Sequence, residues 1–445
     1  MAVSEEEEKM IKKLSVFVYW AIIVILLGLF FTNDFGLVDI RKSSIIVAVG
    51  IDKEDDEVQV TAQLAVPQPS ENGDSVQYTQ VQGSGYTIAD ALNEINAKTG
   101  FYPQLLFCKL VLIGEECKEE ELFKLLSCFY RRNFSELTAL VAMCQGKASD
   151  MLALSSSINS ETTESIKQVL SDELKKSANV SSVNLKEIAQ SNFSVSKACY
   201  MPYIEANKPG TSAPGGGDSV GGEQGGSSGG GQGGGQQGSS SGGGQGGQSG
   251  QSGQSGQQGG GQGGSSGGSA SGQQSGEEME FTARKTAYFS EGKFKGFLNS
   301  EQSFALDVIN NDIRLAVLPF VSDGEHYTLG LKNTKGAIKL KVKDGVPELT
   351  FTFKAKAQIQ GVKKSVTPEN SSNDDVVPPQ VLKSAEEEMQ KRFADLLKVS
   401  AESNCDILKV RELLHKYNHK YYDAFREDIL SRVKVNYKID IRSVN

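Results

Sequence analysis

His415 and His419 stand four residues apart in a segment of helical apolar spacing, which would put both imidazoles on one face, as in a zinc-binding helix. Lys416 occupies the place of that helix's glutamate base, and His326 is the only other histidine. The pair is read as a polar helix face. Gly83-Ser84-Gly85 precedes a predicted helix at Thr87, where backbone N–H groups could cradle a phosphate. A third glycine and a P-loop lysine are missing, so a plain strand-to-helix turn is the better account. Asp52 and Glu115 close predicted strands and could serve as catalytic carboxylates. A glycosidase needs two such groups at a set separation across a cleft, and turn stabilisation is the expected role. The six cysteines (Cys108, Cys117, Cys128, Cys144, Cys199 and Cys405) form no CxxC pair, which leaves zinc-ribbon and thioredoxin readings without support. Their apolar neighbours mark them as small buried hydrophobes, although an exterior location would permit a disulfide. No catalytic residue, cofactor or metal site is assigned. Lys339, Lys341 and Lys343 on one predicted strand, with Lys354 and Lys356 on the next, make a basic face on a chain of net charge −9. That face is either simply solvated or a contact for anionic lipid headgroups or a partner's acidic surface.

The acidic balance argues against a general nucleic-acid binder, which needs a basic footprint to displace counterions from phosphate. Leu14 to Phe31 (LSVFVYWAIIVILLGLFF) runs 18 residues without a charge. At about 1.5 Å per residue it spans ~27 Å, near the ~30 Å hydrocarbon core of a bilayer. Val16, Tyr19, Trp20, Ile23, Leu26 and Phe30 are its anchoring side chains. Lys9, Lys12 and Lys13 precede the run, so the N-terminus is expected inside and everything after residue 32 outside. Phe30-Phe31-Thr32-Asn33 fits a signal cleavage site poorly, and no cysteine follows closely for acylation. An uncleaved single-pass anchor is therefore expected. Between Gly210 and Gly276 the chain is almost wholly Gly, Ser and Gln. Such a segment buries too little apolar area to offset its ordering entropy, so a disordered tether about 45 Å end to end is expected. It would let the C-terminal domain move independently.

The elements that must position these residues are strongly patterned. Ser44 to Asp52 is an apolar β-branched run, hence a buried strand, and Val58 to Val66 alternates with period two. Val76 to Gln82 could add a third strand. Thr87 to Lys98 spaces Ile88, Ala91, Leu92 and Ile95 for a helix. Strands are predicted at Leu105 to Ile113 and Glu136 to Cys144, and a helix at Lys118 to Tyr130. Thr162 to Ser177 and Leu185 to Gln190 read as helical, and Val195 to Ile204 as extended. After the tether come two short strands around Ser290-Glu291-Gly292, a short helix at Ser300 to Ile309, and strands at Arg314 to Val321, His326 to Leu331 and Ala337 to Lys343. Leu349 to Ile359 alternates without a break. Helices at Val377 to Val399 and Ile407 to Tyr421 and a closing strand at Val433 to Ile441 follow.

Several pieces resemble the Ger(x)C family, the C subunit of bacterial spore germinant receptors. Val38-Asp39-Ile40-Arg41 leading to Ile45-Ile46-Val47-Ala48-Val49-Gly50-Ile51-Asp52 is similar to its opening. Lys109 to Glu116 (KLVLIGEE) looks like its strand ending in Ile-Gly-Glu. Ala287-Tyr288-Phe289 with Lys293 to Asn299 (KFKGFLN) resembles the start of its C-terminal domain, and Asp406-Ile407-Leu408, Leu414-His415-Lys416-Tyr417 and the closing strand resemble its end. Asp39, Arg41, Gly50, Asp52, Gly114, Glu115, Gly296 and His415 are the signature positions, read as structural. The resemblance implies a non-enzymatic accessory protein on the outer face of the membrane enclosing the spore core. It would act with a multi-span A subunit and a transporter-like B subunit in sensing nutrients. Members are usually anchored through an N-terminal lipidated cysteine, where this chain has a helix.

The expected fold is α+β. Residues 1–13 form a cytoplasmic tail and 14–32 a transmembrane helix. Residues 37–155 form a first α+β domain, 156–208 a small helical and extended middle domain, and 209–279 a disordered linker. Residues 280–445 form an α+β domain whose antiparallel sheet carries helices on one side. The contrasting function classes are a cell-envelope hydrolase or glycan binder, and a sensor subunit of growing cells.

Overall fold

Apolar runs without alternation, such as Leu110–Ile113, suit only a strand covered on both faces. The computed structural model places that strand at the centre of the first of two sheets. It describes residues 5–32, 43–68, 75–131, 135–157, 161–171, 180–209, 278–310, 313–363 and 376–444. The first sheet contains β1 (Ser43–Glu54), β2 (Glu57–Gln68), β3 (Ser75–Gly85), β4 (Tyr102–Gln104), β5 (Leu110–Ile113), β6 (Leu140–Cys144), β7 (Ser155–Ser156), β8 (Val183–Asn184), β9 (Ala198–Asn207), β10 (Glu278–Ser290) and β11 (Lys293–Leu298). Its main order is β11-β10-β9-β6-β5-β1-β2-β3, with β4, β7 and β8 pairing to β1, β10 and β6. β1, β5, β6 and β9 run parallel to one another. On one face Leu110, Leu112, Ala142 and Cys144 pack on Ala148, Leu152 and Ile166. On the other, Val111, Ile113, Val141 and Met143 pack with Leu92, Ile95 and Phe129. A bulge between Ile46 and Ala48 lets β1 serve both layers, because it sends Ala48 to one face and Ile46 and Val49 to the other.

The second sheet is β12 (Leu315–Ser322), β13 (Glu325–Lys343), β14 (Val346–Lys363) and β15 (Lys434–Ser443) in that order. Its inner face, including Leu331, Phe351 and Phe353, packs against the Ser300–Asn310, Pro379–Glu402 and Val410–Tyr417 helices. Phe393 of the long helix stacks on Phe351 at 5.2 Å and meets Phe353 edge-on at 6.2 Å. Buried Arg392 donates to Glu388 at 2.8 Å and to the Pro319 carbonyl at 3.0 Å, tying this helix to β12.

Several expectations are corrected. The C-terminal sheet is not wholly antiparallel: β15 runs parallel to β14. The helices between them form the long crossover that a parallel pair needs. The two strands expected at His326 to Leu331 and Ala337 to Lys343 are one strand, β13, with a register shift at Thr328/Leu329 and another between Lys332 and Lys335, where Asn333 has φ 52°. Lys118 to Tyr130 is not one helix. It divides into a 3-10 turn at Glu115–Glu119 and short helices at Leu122–Leu125 and Ser127–Arg131. Glu120 turns extended and the Leu122 N–H donates to Gly292 of the β10–β11 turn, so tertiary bonding breaks the periodic run. The helix expected over Ile407 to Tyr421 ends at Tyr417, and a separate 3-10 turn spans His419–Tyr421.

The pairing also crosses the expected 279/280 boundary. β10 and β11 belong to the first sheet, and β10 pairs antiparallel with β9 from Asn207 opposite Glu280 to Ala198 opposite Ser290. Phe281, Ala283, Ala287 and Phe289 complete the cores on its two faces. Residues 210–277 of the linker lie outside the described residues, but its two ends are hydrogen-bonded neighbours. The linker thus joins two paired strands of one sheet rather than leading to an independent domain. The described residues from 43 onward belong to one compact unit.

Glu5–Thr32 is a continuous 28-residue helix. Val16, Tyr19, Trp20 and Leu26 are exposed, Ile23 is half-buried, and Phe30 lies beyond the side chains described. Those side chains stop at residue 28, and among the described residues no helix is long and apolar enough to cross a membrane.

Phe393→Ala should cost about 3–5 kcal/mol by leaving a cavity between the long helix and the second sheet. A urea titration followed by circular dichroism should show the loss as a lowered midpoint.

Candidate functional site

Four sequence signatures of the first half, Gly50, Asp52, Gly114 and Glu115, meet at one point. Gly50 and Asp52 lie near the end of β1, Gly114 and Glu115 follow β5, and Gly146 follows β6. Parallel strands deliver all three ends to the same edge, where the short Ala148–Ala153 helix begins. Asp52, 2% exposed, accepts the Ala148 N–H at 2.6 Å and the Ser149 N–H at 2.9 Å. It supplies from 96 residues away the cap that Lys147 cannot give. Burial raises its pKa, and the two backbone donors only partly oppose this. A Cβ on Gly114 would stand 2.1 Å from Asp52 Oδ1, and one on Gly50 would press on Leu152 and Ala148 at 3.1–3.2 Å. A side chain at Gly114 would displace the Asp52 carboxylate from the helix it caps, and one at Gly50 would crowd that helix. The Glu115 N–H donates to the Gly146 carbonyl at 2.8 Å, and its carboxylate accepts the Tyr203 hydroxyl at 3.1 Å. Burial, then the Glu115 charge, pushes the Tyr203 phenol up. Both carboxylates are thereby engaged in joining strand ends.

The remaining signature positions lie elsewhere. Gly296 on β11 faces Tyr288 on β10, and a Cβ there would meet the Tyr288 hydroxyl at 3.0 Å. His415 packs edge-on against His419 at 4.9 Å and Tyr422 at 5.0 Å. Among the described residues no cluster of three His, Cys, Asp or Glu could hold a metal. Asp39 and Arg41 lie outside the described residues. The thiols of Cys108, Cys117, Cys144, Cys199 and Cys405 are buried, Cys128 is half-buried, and none of the six is disulfide-bonded. Burial pushes Cys108, Cys117, Cys199 and Cys405 up to about 12.

Two polar locks escaped sequence reasoning because their partners are far apart in the chain. Ser303 donates to Thr286 (2.9 Å), Thr286 to Ser181 (3.2 Å), and Ser181 to the fully buried Asp307 (2.8 Å). Asp406 accepts the Val410 N–H at 2.7 Å and the Arg411 N–H at 2.8 Å, capping the Val410–Tyr417 helix, and also takes the Ser196 hydroxyl at 2.5 Å. Both locks join the segment before the linker to the helices after it. A cleft of about 440 Å³ opens beside them, lined by Glu187, Ser191, Tyr200, Asn310, Lys409 and Glu412 among others. A second, of about 370 Å³, shares Asn310, Lys409 and Glu412. Asp52 and Glu161, whose pKa values burial raises, line neither cleft.

The uncovered face of the second sheet concentrates lysines. Lys332, Lys335, Lys339, Lys341 and Lys343 of β13 are exposed, as are Lys354 and Lys356 of β14 and Lys434 and Lys438 of β15. Lys335 stands opposite Lys354, and Lys332 opposite Lys356. Directly opposed like charges weaken a sheet. Glu348 and Asp440 are the acids interspersed, paired with Lys343 at 3.4 Å and Arg442 at 2.8 Å. A net-acidic chain thus carries a strongly basic sheet face with an internal electrostatic cost.

The paired strands, the two sheets and their seam define a two-sheet α+β protein. The family of spore germination protein N-terminal domains matches residues 37–206, and that of spore germination B3/GerAC-like C-terminal domains matches residues 284–445. The chain belongs to the Ger(x)C family of spore germination proteins, a family of receptor subunits rather than of enzymes. The crystal structure of the GerBC protein is similar at 13% identity, covering 89% of this chain and 97% of that one with a TM-score of 0.47. A search of curated proteins finds no match.

Asp52→Ala should destabilise the folded chain by about 1–3 kcal/mol, since it strands two buried N–H donors. Thermal unfolding should report it as a lowered Tm, without loss of the second sheet's Phe393 packing. At pH 8 a small alkylating reagent should label at most Cys128 in the native protein and all six thiols after denaturation, read by intact mass.

Proposed function

We propose that this chain is the outward-facing C subunit of a spore nutrient receptor, held in the membrane by the Glu5–Thr32 helix with its N-terminus in the cytoplasm. The observation that carries the reading is the ordered match of both Ger(x)C domains over most of the chain. Exposed apolar side chains around Val16 to Leu27 support the anchor, because a helix greasy on all sides needs an apolar medium. The anchor confines the soluble part near integral partners and raises its effective concentration there. The multi-span A and transporter-like B subunits are those partners. The lysine face of β13, β14 and β15 is the docking surface, and the complementary partner surface is acidic. An envelope hydrolase gains no support from Asp52 and Glu115, whose oxygens bind the protein's own donors.

Spores lacking the chain should lose their response to one class of nutrient and regain it on complementation; an unchanged response to every nutrient tested would overturn the receptor role. Crosslinking in spore membranes should recover a multi-span and a transporter-like protein with the wild-type chain. The triple variant Lys339→Glu/Lys341→Glu/Lys354→Glu should keep its Tm and lose that recovery by about tenfold, with wild-type recovery falling as salt is raised. Added protease should leave residues after 32 intact in sealed inside-out vesicles.

A further inference from the structure

We infer that the edge of the first sheet at which β1 begins is a second membrane contact, an apolar apron that enters the headgroup–acyl boundary of the bilayer beside the anchor. This rests on the anchored reading above and adds a site to it. The topology carries it. β1, β5 and β6 are parallel, so their first residues all lie at one edge. The lead-in of β1 comes from the Glu5–Thr32 helix through residues 33–42, a connection that reaches at most ~35 Å. The lead-in of β5 is the Leu105–Cys108 turn, which exposes Leu106 and Phe107. The lead-in of β6 exposes Leu137, whose segment is held to that turn by the Glu136 N–H on the Leu105 carbonyl. Tyr102 stands opposite Ser43 at the first residue of β1, with exposed Phe101 before it. β2 ends at the same edge and exposes Val66.

Isolated exposed apolar residues are ordinary, but a grouped set marks a contact. These residues project from turns and strand ends rather than lining a groove, so they offer no pocket for a helix or peptide. Exposed Lys109 and Lys186 stand on the same rim, the latter with its N–H on the Leu137 carbonyl. Aromatic and aliphatic tips flanked by lysines suit the bilayer interface. The anchor already holds this edge close, so shallow insertion needs little affinity of its own. It would fix the tilt of the sheet on the membrane, and with it the direction in which the lysine face points.

The test uses the full chain in liposomes carrying brominated acyl chains. Trp20 is the only tryptophan, so its quenching in the unaltered protein reads the anchor alone. In a Trp20→Phe background, Phe107→Trp or Leu106→Trp should be quenched about twofold and blue-shifted, as expected for burial near the acyl boundary. Tyr86→Trp, at the opposite edge beyond the end of β3, should remain unquenched. Quenching of Trp20 with none at either 106 or 107 would overturn the apron and leave the anchor standing. Equal quenching at 86 would also overturn it, and an unquenched Trp20 would overturn both readings.

Discussion

The antiparallel pairing of β9 with β10 is the constraint on which the architecture depends. It joins chain positions on either side of a long Gly/Ser/Gln segment and sets Asn207 opposite Glu280. Without β10 and β11 the first sheet would end on an exposed β9 and its two cores would lack Phe281 and Phe289. Without β9 the Tyr288 and Leu298 side chains that enter the second core would have no platform. The two family domains are therefore separate in sequence but interlocked in space. Loop closure grows only logarithmically with length, so a long insertion between paired strands costs little more than a short one.

The buried polar locks reinforce the same seam. Ser181–Asp307 and Ser196–Asp406 link the segment before the insertion to the helices after it. In a low-dielectric interior such groups are tolerated only when paired, so they specify one docking geometry where apolar contact alone would permit sliding. The two sheets and the helices between them accordingly belong to one compact unit.

Much of the fold was legible in the residues. Alternation at Val58 to Val66 and Leu349 to Ile359, helical spacing at Thr87 to Lys98, and the Gly/Ser/Gln composition each follow from local chemistry, and each depends on neighbours only a few positions away. Gly50, Asp52, Gly114 and Glu115 stood out as signatures, but their common place did not, because the helix that Asp52 caps begins some thirty residues beyond the last of them. The break at Glu120 was hidden for a similar reason: the acceptor that draws the Leu122 N–H out of a helix is Gly292. His415 and His419 looked like one helical pair because nothing local announces that the backbone leaves the helix at Asn418.

Sequence alone determined most of the strands and helices, the greasy helix near the start, the family and the basic strands, since composition and period are properties of short windows. Tertiary structure alone decided that β10 crosses to the first sheet, that β15 joins β14 in parallel, and that distant carboxylates cap helices. Each of these is a choice between partners of nearly equal local merit, and only the packing of the whole core separates them in free energy.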